Sequence, residues 1–94
     1  MQSQIHCQML HIHGRVQGVG MRYYLMGNAR GLGLSGWVRN TADGSVDCLV
    51  QGERDSVSRF LQAARQGPPM ARIDRVEVRD HAHQGELQGF EVRY

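Results

Sequence analysis

The period of apolar and polar positions changes several times along this 94-residue chain, and each change predicts an element. From Ile5 to His13 the period is two. Leu10 and Ile12 fall on one face and Cys7, Met9, His11 and His13 on the other, as in a half-buried strand. Three glycines then break the pattern between Gly14 and Gly20. From Met21 to Arg30 the spacing becomes helical, with Met21, Leu25, Ala29 and Leu32 on one stripe and Gly31 placed to cap the end. Leu34 to Arg39 reads as a second strand and carries the only tryptophan, Trp37. Asn40-Thr41-Ala42-Asp43-Gly44 is turn chemistry, and Asp-Gly is a strong hairpin signal. Ser45 to Val50 returns as a third strand with Val46, Cys48 and Val50 on one face, and Gly52 is expected to break it.

A second amphipathic helix is predicted over Asp55 to Arg65. Val57, Phe60, Leu61 and Ala64 point inward, with Arg54, Ser58, Gln62 and Arg65 outward, and Gly67-Pro68-Pro69 stops it. Ile73 to Arg79 alternates Val76 and Val78 with charges as a fourth strand. Asp80 to Glu86 is a polar loop, and Leu87 to Tyr94 closes the chain as a short extra strand. The order β-α-β-β-α-β predicts an α+β class protein, a ferredoxin-like sandwich with two helices on one face of a mainly antiparallel sheet. Residues 1–94 are expected to form a single domain around one core.

Composition narrows the picture modestly. An apolar fraction of 40% and a charged fraction of 21% are ordinary for a globular chain. No apolar run approaches the ~20 residues needed to cross a bilayer, so no membrane partner is expected. The start Met1-Gln2-Ser3-Gln4 has no basic residue or apolar stretch of a secretory leader, which makes a cytoplasmic protein the default. A net charge of +2 with scattered arginines, and no aromatic residue in the first and third strands, argue against nucleic acid. All eleven basic residues are arginine, a side chain suited to forked contacts with anions. Parity places Cys7 and Cys48 on opposite faces of the sheet, so no disulfide is expected between them.

Three motifs invite chemistry. Gly31-Leu32-Gly33-Leu34-Ser35-Gly36 matches a dinucleotide pattern, but that mechanism needs glycines that follow a strand and open a helix, and these do the reverse. His11-x-His13 and His81-x-His83 have the alternation of strand ligands, yet no Cys or carboxylate completes a recognisable set; no metal or other cofactor is expected. The stretch from His13 to Arg22 is different, with three glycines, two arginines and no acid ahead of a helix. Glycine lets backbone N–H groups approach a ligand, a helix N-terminus adds its dipole, and Arg22 can fork onto a phosphate. Lacking Lys, Ser and Thr, the loop suits one phosphate group rather than a nucleotide tail.

These residues resemble the acylphosphatase family. The likeness runs through Gly14-Arg15-Val16-Gln17-Gly18-Val19-Gly20-Met21-Arg22, then Gly31-Leu32, Leu34, Gly36-Trp37-Val38 and Asn40, then Asp43-Gly44-Ser45-Val46, Ala71-Arg72-Ile73-Asp74, Val76 and the terminal Phe90, Val92, Arg93 and Tyr94. The resemblance implies hydrolysis of acyl phosphates to a carboxylate and inorganic phosphate without a metal. Arg22 matches the substrate-binding arginine and Asn40 the asparagine that positions the attacking water. The N–H groups of Arg15, Val16, Gln17, Gly18, Val19, Gly20 and Met21 match the loop around the phosphoryl oxygens. It further implies inorganic phosphate or sulfate as product or inhibitor, with a monomer as the default state. Met21 stands where the family often has Phe, and His11 and His13 where relatives frequently carry other residues. If those histidines line the mouth of the site, they add pH dependence. The competing reading is a non-catalytic phosphate- or carbamoyl-phosphate-binding module, since related domains occur within larger hydrogenase-maturation proteins.

Overall fold

A computed structural model describes residues 5–94; the leader-free reading of residues 1–4 lies outside them. Five strands and two helices follow in the order β1 (Ile5–Arg15), α1 (Met21–Gly31), β2 (Ser35–Asn40), β3 (Val46–Glu53), α2 (Arg54–Gln66), β4 (Arg72–Asp80) and β5 (Phe90–Arg93). The sheet order is β4-β1-β3-β2-β5, antiparallel except where β5 runs parallel to β2. This is the expected ferredoxin-like arrangement with its extra C-terminal strand.

The core fills the space between one sheet face and the helices. Leu10, Ile12, Val38, Val46, Cys48 and Val50 come from the sheet, and they meet Met21, Leu25 and Ala29 of α1 and Val57, Phe60 and Ala64 of α2. Each large side chain removed from water here contributes roughly 1.5–3 kcal/mol before entropy is counted. Both helical stripes are thus the ones the spacing predicts, with Leu32 and Leu61 only partly buried at their margins. Cys48 shares the helix face, whereas Cys7, paired with Gln51, lies on the other; both are free and buried.

Several boundaries differ from the sequence reading, each for a local reason. β1 does not stop at His13 but runs to Arg15 through a bulge between His13 and Gly14. A Cβ on Gly14 would lie 2.1 Å from the Arg72 carbonyl oxygen, so only glycine lets β4 approach there. β3 continues through Gly52, where a Cβ would lie 2.3 Å from Leu34 Cδ2; the glycine makes room for a neighbour rather than ending the strand. α1 is closed by Gly33 (φ 70°), not Gly31: Gly33 N–H donates to Arg30 O and Leu34 N–H to Ala29 O, a Schellman pairing. β5 begins only at Phe90, because Gly89 (φ 74°) turns the chain before it. The preceding polar segment crosses the open sheet face. His81 N–H donates to Cys7 O, and Gln51 and Gln84 exchange two hydrogen bonds, which is how Cys7 is buried on that face.

Candidate active site

The glycine-rich loop joins β1 to α1 and is fixed from below by apolar anchors. Val16 and Met21 are fully buried and Val19 packs against the core. Between them Gly18 (φ 74°) and Gly20 (φ 78°) take left-handed backbone, which other residues adopt only at a cost of about 1–2 kcal/mol. Among the described residues, no protein acceptor pairs with the N–H groups of residues 16–20, and the N-terminus of α1 has no side-chain cap and no acid in its first turn. Unpaired donors at the positive end of an 11-residue helix are the chemistry with which helix N-termini meet anions.

The Gln17 side chain does something its backbone role does not require. Its amide donates to Thr41 O at 2.8 Å and to Ser45 O at 2.9 Å, tying the loop to the turn between β2 and β3. That turn is itself braced by Asp43, whose carboxylate accepts from Ser45 N, Ser45 Oγ and Thr41 Oγ1. These hydroxyl and amide donors hold the Asp43 carboxyl well below the ordinary carboxylate range. The residue before Thr41 is Asn40, at the end of β2. Its side chain shares a face with Val38, the helix side. Asn40 Oδ1 is buried and has no hydrogen-bond partner among the described residues. A buried orphan acceptor is costly and asks for a donor such as water.

Arg22 is brought to the same end of the sheet by a different route. Its guanidinium lies 4.9 Å from the ring centroid of Tyr94. Tyr94 follows β5, which pairs in parallel with β2 at Val38–Val92 and Arg39–Arg93, so one step further Tyr94 stands beside Asn40. Tyr94 Oη is in turn 2.8 Å from Tyr23 Oη, which pushes the Tyr94 phenol up. The loop from Arg15 to Met21, Arg22 and Asn40 therefore gather at one end of the sandwich. Arg15 closes β1 there and is exposed.

The histidines do not join them. His11 pairs with Asp47, and His13 Nε2 lies 2.8 Å from Glu77 Oε1, all on the open sheet face away from the Asn40 side chain. His81 and His83 are exposed in the segment after β4. Among the described residues no group of three His, Cys, Asp or Glu side chains is placed to hold a metal ion. The glycines of Gly31 to Gly36 close a helix and enter a strand, as read from their order. No described helix is long and apolar enough to cross a membrane. Trp37 lies between Arg39 and Arg93, whose guanidinium carbons are 5.2 and 5.0 Å from its ring.

A fold of this order with a glycine-rich loop between its first strand and helix defines a class, and the comparisons define the family. A sequence model of the acylphosphatase family matches residues 8–92, and the chain belongs to that family. It is a hydrolase acting on acid anhydrides. An acylphosphatase of Thermococcus kodakarensis is 48% identical over 83 residues, covering 88% of this chain and 90% of that one. An acylphosphatase structure from Coxiella burnetii superposes with a TM-score of 0.92 at 32% identity, covering 99% of each chain. A full-length HypF structure in the phosphate- and nucleotide-bound form superposes with a TM-score of 0.86 at 26% identity, over all of this chain but 12% of that longer one.

Proposed function

We propose that the protein hydrolyses acyl phosphates by direct attack of water on phosphorus, without a metal ion. The loop N–H groups from Arg15 to Met21 and the Arg22 guanidinium hold the phosphoryl oxygens, and Asn40 Oδ1 accepts a hydrogen bond from the attacking water. The water oxygen forms a bond to phosphorus as the bridging P–O bond breaks. That electron pair leaves on the carboxylate, and the water proton passes to a phosphoryl oxygen, giving carboxylate and inorganic phosphate. A carboxylate is a good leaving group, so the work left to the protein is positioning and charge stabilisation. An amide is a poor base, which suits Asn40 to orienting water rather than deprotonating it.

The observation that carries this reading is the buried, unpartnered Asn40 Oδ1, held one residue from the carbonyl that anchors the phosphate loop through Gln17. The test is hydrolysis of benzoyl phosphate by purified protein in a chelator. Turnover is expected to persist there and to be inhibited by inorganic phosphate. Arg22→Ala should lower kcat/KM by at least about 10²-fold, as loss of a charge-stabilising donor does. Asn40→Ala should lower kcat by about 10²-fold while phosphate inhibition changes little. Turnover that the chelator abolishes, or full rate in Asn40→Ala, refutes the mechanism. Phosphate binding with no turnover would favour the binding-module reading suggested by the HypF likeness.

A further inference from the structure

Asp43 is exposed and lines a shallow cavity on the open sheet face with His11 and His13. The Asn40 side chain lies on the opposite, helix side of the sheet. A surface acid in a tight turn ordinarily has no consequence beyond the turn. The contacts of this one run inward. Its Oδ1 accepts from the Ser45 N–H at 3.0 Å, from the Ser45 hydroxyl at 2.6 Å and from the Thr41 hydroxyl. The two residues it clamps, Thr41 and Ser45, are the two whose carbonyls hold the Gln17 amide. Thr41 also follows Asn40 directly in the chain, and Asn40 pairs across the hairpin with Val46, the residue after Ser45.

We propose that Asp43 is a positioning residue for the hydrolysis, its carboxylate fixing the spacing between Asn40 and the glycine-rich loop. This rests on the reading of Asn40 as the group that orients the attacking water. Asp43 touches neither the water nor the phosphoryl group. It acts through the turn in two directions, along the backbone of Thr41 to Asn40, and through the Thr41 and Ser45 carbonyls to Gln17 and the loop. The loop N–H groups and Arg22 do not depend on it, so phosphate still binds when it is removed. What is lost is the aim of the water at phosphorus. Rates are steep in such alignment, a misplacement of about 1 Å costing as much as about 10²-fold. A brace of this kind acts by where its oxygen sits, so its shape matters more than its charge.

The test measures kcat, KM and inhibition by inorganic phosphate, with benzoyl phosphate as substrate, in the wild-type protein and in Asp43→Ala, Asp43→Asn and Asp43→Glu. The temperature is one at which Trp37 fluorescence shows each variant folded. Asp43→Ala should lower kcat about 10-fold and change KM and phosphate inhibition less than about 2-fold. Asp43→Asn keeps an accepting oxygen in the same place and should stay within about 3-fold of wild type. Asp43→Glu keeps the charge but moves the carboxylate along by a methylene, and should behave like Asp43→Ala. In an Asn40→Ala background, Asp43→Ala should lower kcat less than about 2-fold further, because no amide is left to place. A brace that only supported the fold would lower both backgrounds alike. Wild-type kcat in Asp43→Ala and Asp43→Glu overturns the positioning role alone. So does a loss confined to KM, full additivity with Asn40→Ala, or an Asp43→Glu variant faster than Asp43→Asn. No turnover by the wild-type protein overturns it together with the catalytic reading.

Discussion

Replacing Gln17 by Ala removes the two hydrogen bonds that dock the glycine-rich loop on the β2–β3 turn. A neutral hydrogen bond contributes a net ~0.5–1.5 kcal/mol, but leaving a buried acceptor bare costs more. Neither carbonyl is left bare here. Ser45 O keeps the Thr41 N–H at 2.9 Å, and Thr41 O keeps the Gly44 N–H at 3.2 Å. The cost should therefore stay at about 1–2 kcal/mol, which lowers Tm by roughly 5–15 °C in a domain of this size. Gln17→Glu should cost more, because it turns a carboxylate toward two carbonyl oxygens. That penalty should shrink as the pH falls below about 4 and the carboxyl protonates. Urea unfolding followed by the fluorescence of Trp37 measures both, with and without inorganic phosphate. A ligand at 100 times its Kd stabilises a native protein by about 2.7 kcal/mol, and Gln17→Ala should gain less than wild type at equal phosphate because its loop must be ordered on binding. Equal unfolding midpoints and equal phosphate gains would show that the Gln17 side chain does not dock the loop.

Gly14→Ala and Gly18→Ala should differ although both glycines have positive φ. At Gly14 the new Cβ meets the Arg72 carbonyl oxygen and should cost about 2–4 kcal/mol, whereas at Gly18 nothing lies within 4 Å and only the backbone strain of about 1–2 kcal/mol remains; equal losses would contradict the close approach of β4. Asp43→Ala should lower the unfolding midpoint at pH 7. Because folding favours the ionised Asp43, its stabilisation is full above the ordinary pKa of about 4 and drains away below it, so the variant and wild-type curves should converge toward pH 2; a constant gap would refute the turn-bracing role.

What was legible in the sequence is what depends on near neighbours. The stripes Met21-Leu25-Ala29 and Val57-Phe60-Ala64 and the alternation of Val46, Cys48 and Val50 fixed which faces are buried. The parity of Cys7 and Cys48 placed them on opposite faces. The features that were missed depend on distant partners. Gly14 and Gly52 read as breakers because glycine is one, and only Arg72 and Leu34 show that each sits inside a strand to admit a neighbour. His11 and His13 share a face as expected, but their partners Asp47 and Glu77 place that face away from Asn40. The composition of the glycine-rich loop was legible, including its freedom from acids. The Gln17 tether, the orphan Asn40 oxygen and the Tyr94 ring on Arg22 were not, because no local pattern links residues so far apart in the chain.

The central claim is that the loop, Arg22 and Asn40 present phosphorus, and not the acyl carbon, to water. Hydrolysis of benzoyl phosphate in ¹⁸O-enriched water, with mass analysis of both products, tests it directly. The label should enter inorganic phosphate and leave benzoate unlabelled. Label in benzoate would mean that water attacks the acyl carbon, and that Asn40 does not aim it at phosphorus.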